Sequence, residues 1–402
     1  MMSLAIFLLL LFFYCLVSRS IEQTILTGPI VFTLAGILVF AAFPKILETG
    51  INQEVLFRLS EIGLVLLLFT DASRTDLNLL RRIGNLPARL LSVGMLLTIL
   101  LGTVTARLVF PQLTIWEAGI LSAVLAPTDA GLGQIIVESP RVPISIRQAL
   151  NVEAGLNDGL SVPFMMSFIA LAAAKVEGAA TSFLQFIVEQ LGYGLVVGGG
   201  IGLAGGWLLG LANRRGSIAE AFQKIAVVAL PLLCLEVSKM VGASMFIAAF
   251  VAGLAVQIGF KEAGKHSIEF VEEWGRLLNL GVFFLFGLIV VRAFPQFNLA
   301  TLLYAVLSLT IVRMLPVAIA LVGTRLSLAT ILFVGWFGPR GLASIVLGLV
   351  YLQQEVNLPG EPTIRLALIL TVFLSVFAHG LSASPGISVY LRTIVTPDAA
   401  RP

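Results

Sequence analysis

Apolar runs long enough to cross a lipid bilayer recur along this sequence from one end to the other, and that feature alone excludes most folds. A helix needs roughly 17 to 25 predominantly apolar residues to cover the hydrocarbon core, and only helices or closed barrels satisfy their backbone groups there. Strands of alternating polarity do not recur, so an all-α integral membrane protein is expected. The 402 residues are 58% hydrophobic and 12% charged, with a mean hydropathy of +1.03, far from the composition of soluble domains. Runs bounded by charges, Gly and Pro predict thirteen spans, at about 2–17, 25–43, 56–70, 86–110, 115–137, 147–174, 182–212, 218–238, 242–260, 275–293, 299–322, 327–352 and 364–384. They are expected to form a single transmembrane domain over 1–402 with no soluble domain, since the sequence ends soon after the last span.

The first run lacks a basic leading region and an A-x-A-like end, so it reads as a span and not as a cleaved signal. Cys15 and Cys234 both fall in apolar segments and suggest neither a disulfide framework nor a metal site. The basic residues set an orientation. With the N-terminus outside, sixteen of the 25 Lys and Arg residues fall on the cytoplasmic side and seven on the other, with Arg313 and Arg340 left inside spans. The positive-inside rule then gives N-out and C-in, in a cell inner membrane. The slight basic excess is topology, with no nucleic-acid partner implied.

Two spans carry a proline amid polar residues near their middles. They are LAPTDAG at Leu125–Gly131 in the fifth and FGPRGLAS at Phe337–Ser344 in the twelfth. Proline removes a backbone donor and clashes with the carbonyl four residues back, so Pro127 and Pro339 are expected to interrupt both helices. Spans five and twelve are seven apart and run in opposite directions. Thirteen spans divide as six, one and six around the seventh. That arrangement predicts two inverted six-helix repeats whose crossed discontinuous helices meet near the midplane.

An acid at mid-membrane costs at least ~2.5–3.5 kcal/mol on insertion scales, so each one is a functional candidate. The candidates here are Asp129, Glu153 and Asp158, with the cations Arg313 and Arg340. Glu153 and Asn157 are four apart and share a helix face, whereas Asp158 points elsewhere. A mid-membrane arginine has to find a partner, and Glu153 is the acid available to Arg313. Asp158 then has no permanent partner, which is what reversible protonation requires. At the crossing, Asp129 and Arg340 have the signs that would compensate the exposed helix ends. Thr128 adds a hydroxyl oxygen, suited to a hard monovalent cation, while His266 and His379 have no ligand-like neighbours in sequence. Asp71 and Asp76, in FTDASRTD, read as a solvated helix end beside Arg74, Arg81 and Arg82, with a reach of Asp71 into the core toward Arg340 as the alternative. The run VVGGGIGLAGGW at Val196–Trp207 reads as close helix packing and not as a phosphate loop.

PTDA followed by EAGLNDG, then VRMLPV and GPRG near the end, resembles the monovalent cation:proton antiporter superfamily. The match is to its electroneutral branch, the bacterial and archaeal relatives of animal sodium/proton exchangers. The resemblance implies the sodium/proton antiporter fold, with a core over about 86–174 and 299–384 and a scaffold of the remaining helices that forms a homodimer. It implies no cofactor and no enzymatic activity. Transported Na⁺ (or Li⁺) would exchange for H⁺ one for one, with Asp158 as carrier, Asn157, Thr128 and Asp129 around it, Na⁺ held by Asp158 and Thr128, Glu153 paired with Arg313, and Arg340 balancing the twelfth-span break. Relatives often have a hydroxyl residue after this glutamate, whereas here Ala154 stands there. A K⁺/H⁺ antiporter on the same scaffold is the main alternative, and a sodium-coupled organic solute symporter a more distant one. An intramembrane enzyme is disfavoured, because no catalytic Ser/His, His/Glu/His or paired Asp arrangement occurs.

Overall fold

The computed structural model describes residues 2–22, 24–43, 53–74, 85–129, 131–177, 183–260, 265–354 and 356–395. Its described elements are all helices. In chain order they begin with α1 (Met2–Glu22), α2 (Gly28–Ala42) and α3 (Gln53–Ser73). A short α4 (Asn85–Arg89) passes through a π-helical turn at Leu90–Gly94 into α5 (Met95–Val109). The fifth predicted span is split into α6 (Ile115–Leu125) and α7 (Gln134–Val137). Next come α8 (Ile144–Glu177), α9 (Phe183–Arg214), α10 (Glu220–Val241), α11 (Met245–Gly259) and α12 (Lys265–Ala293). The chain continues as α13 (Leu299–Leu309), α14 (Ile311–Ala320), α15 (Leu328–Trp336), α16 (Leu342–Gln353) and α17 (Glu361–Val395). Seven helical stretches among the described residues are long and apolar enough to cross a bilayer, two of them made of α4 with α5 and of α13 with α14.

Helix ends follow their capping residues. Thr114 and Glu117 form a capping box at the start of α6, and Asn298 and Thr301 do the same for α13. Buried Glu117 also accepts from Gly360 N at 2.7 Å, tying the start of α17 to that of α6. Two irregularities have no proline at the break itself. One is the π turn at Leu90–Gly94. The other divides α13 from α14 at Thr310, whose hydroxyl donates back to Val306 O at 2.6 Å, the kind of bond that bends a helix. The last helix also runs past the predicted end at 384. Its added turns are amphipathic, with Ile387 and Tyr390 buried, and the Tyr390 ring stacks on Phe333 at 4.3 Å. An apolar-run criterion misses these turns because Ser382, Ser384 and Pro385 interrupt the run before them.

Packing reflects the small residues. Gly198, Gly202, Gly206 and Gly210, four apart on α9, lie so close to α11 that a Cβ on any of them would overlap a carbonyl oxygen, of Ala248, Ala252, Val256 and Gly259 respectively. Helix α12 packs on α2 and α3, and α11 also lies on α3. Elsewhere α8 and α5 both pack on α6, α13 packs on α17, and α15 meets both α14 and α17. Large apolar side chains left exposed form stripes one turn apart, such as Leu4, Leu8, Phe12 and Leu16 on α1 and Leu96, Leu100, Val104 and Leu108 on α5. Such stripes suit contact with lipid tails.

Candidate ion site at a helix crossing

Helix α6 stops at Leu125, and its chain extends through Ala126–Asp129 before turning into α7. Helix α15 stops at Trp336, and the chain is non-helical over 337–341 before α16 begins. Each break leaves carbonyls at one end and N–H groups at the other with no partner in their own helix. The two segments satisfy each other. Arg340 Nη1 donates to Ala126 O at 2.8 Å and Pro127 O at 2.9 Å, placing a full positive charge at the C-terminal end of α6. Asp129 N donates to Pro339 O at 2.8 Å. The Asp129 carboxylate accepts from Leu342 N at 2.5 Å, so a negative charge sits on the N-terminus of α16, and its other oxygen accepts from Gly131 N at 2.7 Å. Arg340 is fully enclosed, and its own N–H donates to Ser375 Oγ on α17 at 2.6 Å.

Two glycines of GPRG make these contacts possible. A Cβ at Gly341 would overlap the Asp129 carboxylate, and one at Gly338 would overlap the Arg313 guanidinium. Arg313, on α14, is bidentate to Glu153 on α8, with Nη1–Oε1 at 2.5 Å and Nη2–Oε2 at 3.0 Å. Both side chains are buried. The pair therefore fastens α8 to α14 directly beside the twelfth-span break.

One turn further along α8, Asn157 Nδ2 donates to Thr128 Oγ1 at 2.8 Å, linking α8 to the fifth-span break. Asp158 is 4% exposed, and its Oδ1 accepts no hydrogen bond among the described residues; nor does Asn157 Oδ1. A cavity of about 750 Å³ reaches this point, lined by Asp158, Asp129, Ala154, Asp71 and Asn279 among others. Thr128 and Asn157 stand behind its wall. Its mouth carries Glu272, which accepts from Arg276 at 2.8 Å and pairs with Arg74.

The structure thus brings Thr128, Asp129, Glu153, Asn157, Asp158, Arg313 and Arg340 together between α6, α8, α14 and α16, with Pro127 and Pro339 in the two breaks. Asp71, read from sequence as part of a solvated helix end, lines the cavity instead, because the last turn of α3 faces inward. Asp76, Arg81, Arg82 and the His266 side chain lie outside what is described. Sequence reasoning left His379 as a lone polar residue. It is buried on α17, with Nδ1 3.1 Å from Ser375 Oγ and its ring 5.0 Å from that of Trp336. It therefore supports the hydroxyl that holds Arg340. Its four-residue spacing from Ser375 was the available signal.

Two interrupted helices crossing beside a buried carboxylate, with a cavity leading to it, form the arrangement on which inverted-repeat carriers build their sites. The transmembrane sodium/hydrogen exchanger family matches residues 6–388, and the chain belongs to that family. Its fold is similar to that of the sodium proton antiporter MjNhaP1 from Methanocaldococcus jannaschii, with a TM-score of 0.76 over 97% of this chain and 98% of the other at 19% identity. Among curated relatives, the K(+)/H(+) antiporter NhaP of Alkalimonas amylolytica is 25% identical over 83% of this chain and 57% of its own length. A Na(+)/H(+) antiporter of Schizosaccharomyces pombe is 27% identical over 64% of this chain and 58% of its own. The chain thus spans little more than half the length of these relatives.

Proposed function

We propose that this protein exchanges Na⁺ or Li⁺ for H⁺, one for one, by competition of cation and proton for Asp158. The observation that carries the reading is the state of the three buried acids at the helix crossing. Glu153 is held by Arg313 and Asp129 by backbone N–H groups, whereas Asp158 has an enclosed oxygen that no described residue partners, at the end of a cavity. Of these three, Asp158 is the one free to trade a proton for a partly dehydrated cation. Asn157 and Thr128 shape the site, Asp129 and Arg340 keep the crossing intact, and Glu153 with Arg313 holds α8 in place. Alternating access follows when a core of about 86–174 and 299–384, built as paired inverted repeats, moves against the remaining helices, which also form a homodimer. With N-out and C-in orientation in an inner membrane, the cavity mouth at Arg74, Glu272 and Arg276 is cytoplasmic and the state described is open inward.

K⁺ as the cation is the second reading, because curated relatives are named for K⁺/H⁺ exchange and Ala154 supplies no oxygen to a small cation. The test is dequenching of a pH dye in proteoliposomes on adding NaCl, LiCl or KCl, with Asp158→Asn beside the wild type. Na⁺ and Li⁺ are expected to drive proton movement in the wild type, and no salt in the variant. A response to KCl alone selects the second reading. Cation-driven flux in a well-folded Asp158→Asn protein removes Asp158 as carrier.

A further inference from the structure

Asn279 is the polar residue in the apolar stretch Leu277–Leu288 of α12. That helix packs mainly on α2 and α3, touches α16, and is not one of the interrupted helices. The side chain is 8% exposed and lines the same cavity as Asp158 and Asp129. Its Nδ2 points toward the fifth-span break, since a Cβ added at Gly131 would stand 3.3 Å from it. Its Oδ1 is enclosed and accepts no hydrogen bond among the described residues. Buried carbonyl oxygens are nearly always partnered, so one left open in a cavity that Asp158 and Asp129 also line calls for an occupant that brings positive charge or a donor. Ala154, on the cavity wall next to Glu153, contributes no oxygen of its own. A hard cation stripped of part of its water needs several oxygens, and a carboxamide adds one without adding a second proton-binding group.

We infer that Asn279 supplies a neutral oxygen ligand to the transported cation from a helix outside the crossing, and thereby sets which monovalent cation the site prefers. The inference rests on the reading of Asp158 as the carrier, and the experiment separates the two. Because Asp158 lies on α8 and Asn279 on α12, a cation held by both bridges the two helix groups. Its affinity then depends on how those groups are placed relative to each other.

The test compares Asn279→Ala with Asn279→Ser, which match in size and differ by one hydroxyl. Proton flux in proteoliposomes is measured against graded NaCl, LiCl and KCl, with wild type and Asp158→Asn in parallel. The half-saturating Na⁺ concentration is expected to rise about ten-fold in Asn279→Ala, equivalent to ~1.4 kcal/mol, with a changed Na⁺-to-K⁺ preference. Asn279→Ser should recover part of the shift, because it returns an oxygen. Half-saturation values for all three cations that coincide between Asn279→Ala and wild type overturn the inference. So do values shifted equally in the Ala and Ser variants, since the effect is then packing alone. If the wild type moves no protons on any salt, the carrier reading falls first and the inference with it. If the wild type is active and Asp158→Asn is not, a negative result at Asn279 counts against Asn279 alone.

Discussion

Removing the Glu153 carboxylate would leave Arg313 enclosed against Gly338 with no counter-charge, and stranding one partner of a buried ion pair costs about 3–5 kcal/mol. Glu153→Ala is therefore expected to lower the thermal unfolding midpoint more than it changes cation preference. Replacing both Glu153 and Arg313 with apolar residues of similar volume should restore part of the loss. Thermal unfolding of purified single and double variants checks this, and a double variant no more stable than the single one contradicts it. Much at this scale could be read from residue type. Opposite charges inside apolar runs have few possible partners, so the Glu153 to Arg313 contact and the facing charges of Asp129 and Arg340 were open to inference. Gly338 and Gly341 were less so, because what a glycine makes room for depends on a side chain brought near by the fold. Asn279 carried no signal at all, since one carboxamide in an apolar helix looks the same whether or not it faces a cavity.

Within single elements, the four glycines of α9 that face α11 differ sharply from their neighbours. At Gly202 a Cβ would overlap Ala252 O, whereas at Gly200 it would meet nothing within 4 Å. Gly202→Leu must push α9 away from α11 and is expected to destabilise by at least ~1–3 kcal/mol. Gly200→Ala should instead be neutral or stabilising by up to about 1 kcal/mol, as expected for a helix interior with open space. Fluorescence-monitored thermal melts of both variants in the same detergent give the comparison, and equal midpoints would contradict the proposed packing. Helix positions were readable because apolar length and proline are local signals. The turns at Leu90–Gly94 and Thr310 were not. A π turn or a back-bonded threonine is selected by what packs against the helix, here contact between α14 and the π turn, next to which Arg89 Nη1, at the end of α4, reaches Val322 O just past α14 at 2.5 Å.

For the whole molecule, the one-carboxylate reading fixes how transport responds to voltage. Exchange of one proton for one monovalent cation moves no net charge, although 100 mV acts on each uncompensated charge with about 2.3 kcal/mol. Flux in proteoliposomes clamped at several potentials is expected to be unchanged, provided K⁺ is first shown not to be a substrate. A reversal point that moves with the clamped potential would require a second titrating group, and Glu153 would be the first to examine. At this scale the all-helical fold and the interrupted helices were legible in the sequence, while the cavity and its mouth were not, because they lie between elements far apart in the chain. The crossing also bears on how the protein is made. The groups that close the first break come from residues 213 and 214 positions further along the chain. At ribosomal speeds of about 5–20 residues per second, the first half waits on the order of ten to forty seconds with that break open. During that interval bare carbonyls at Ala126 and Pro127 and an uncapped Asp129 must be sheltered by water, lipid headgroups or the insertion machinery. Assembly of this protein is thus a timing problem, completed only when the arginine of GPRG leaves the ribosome.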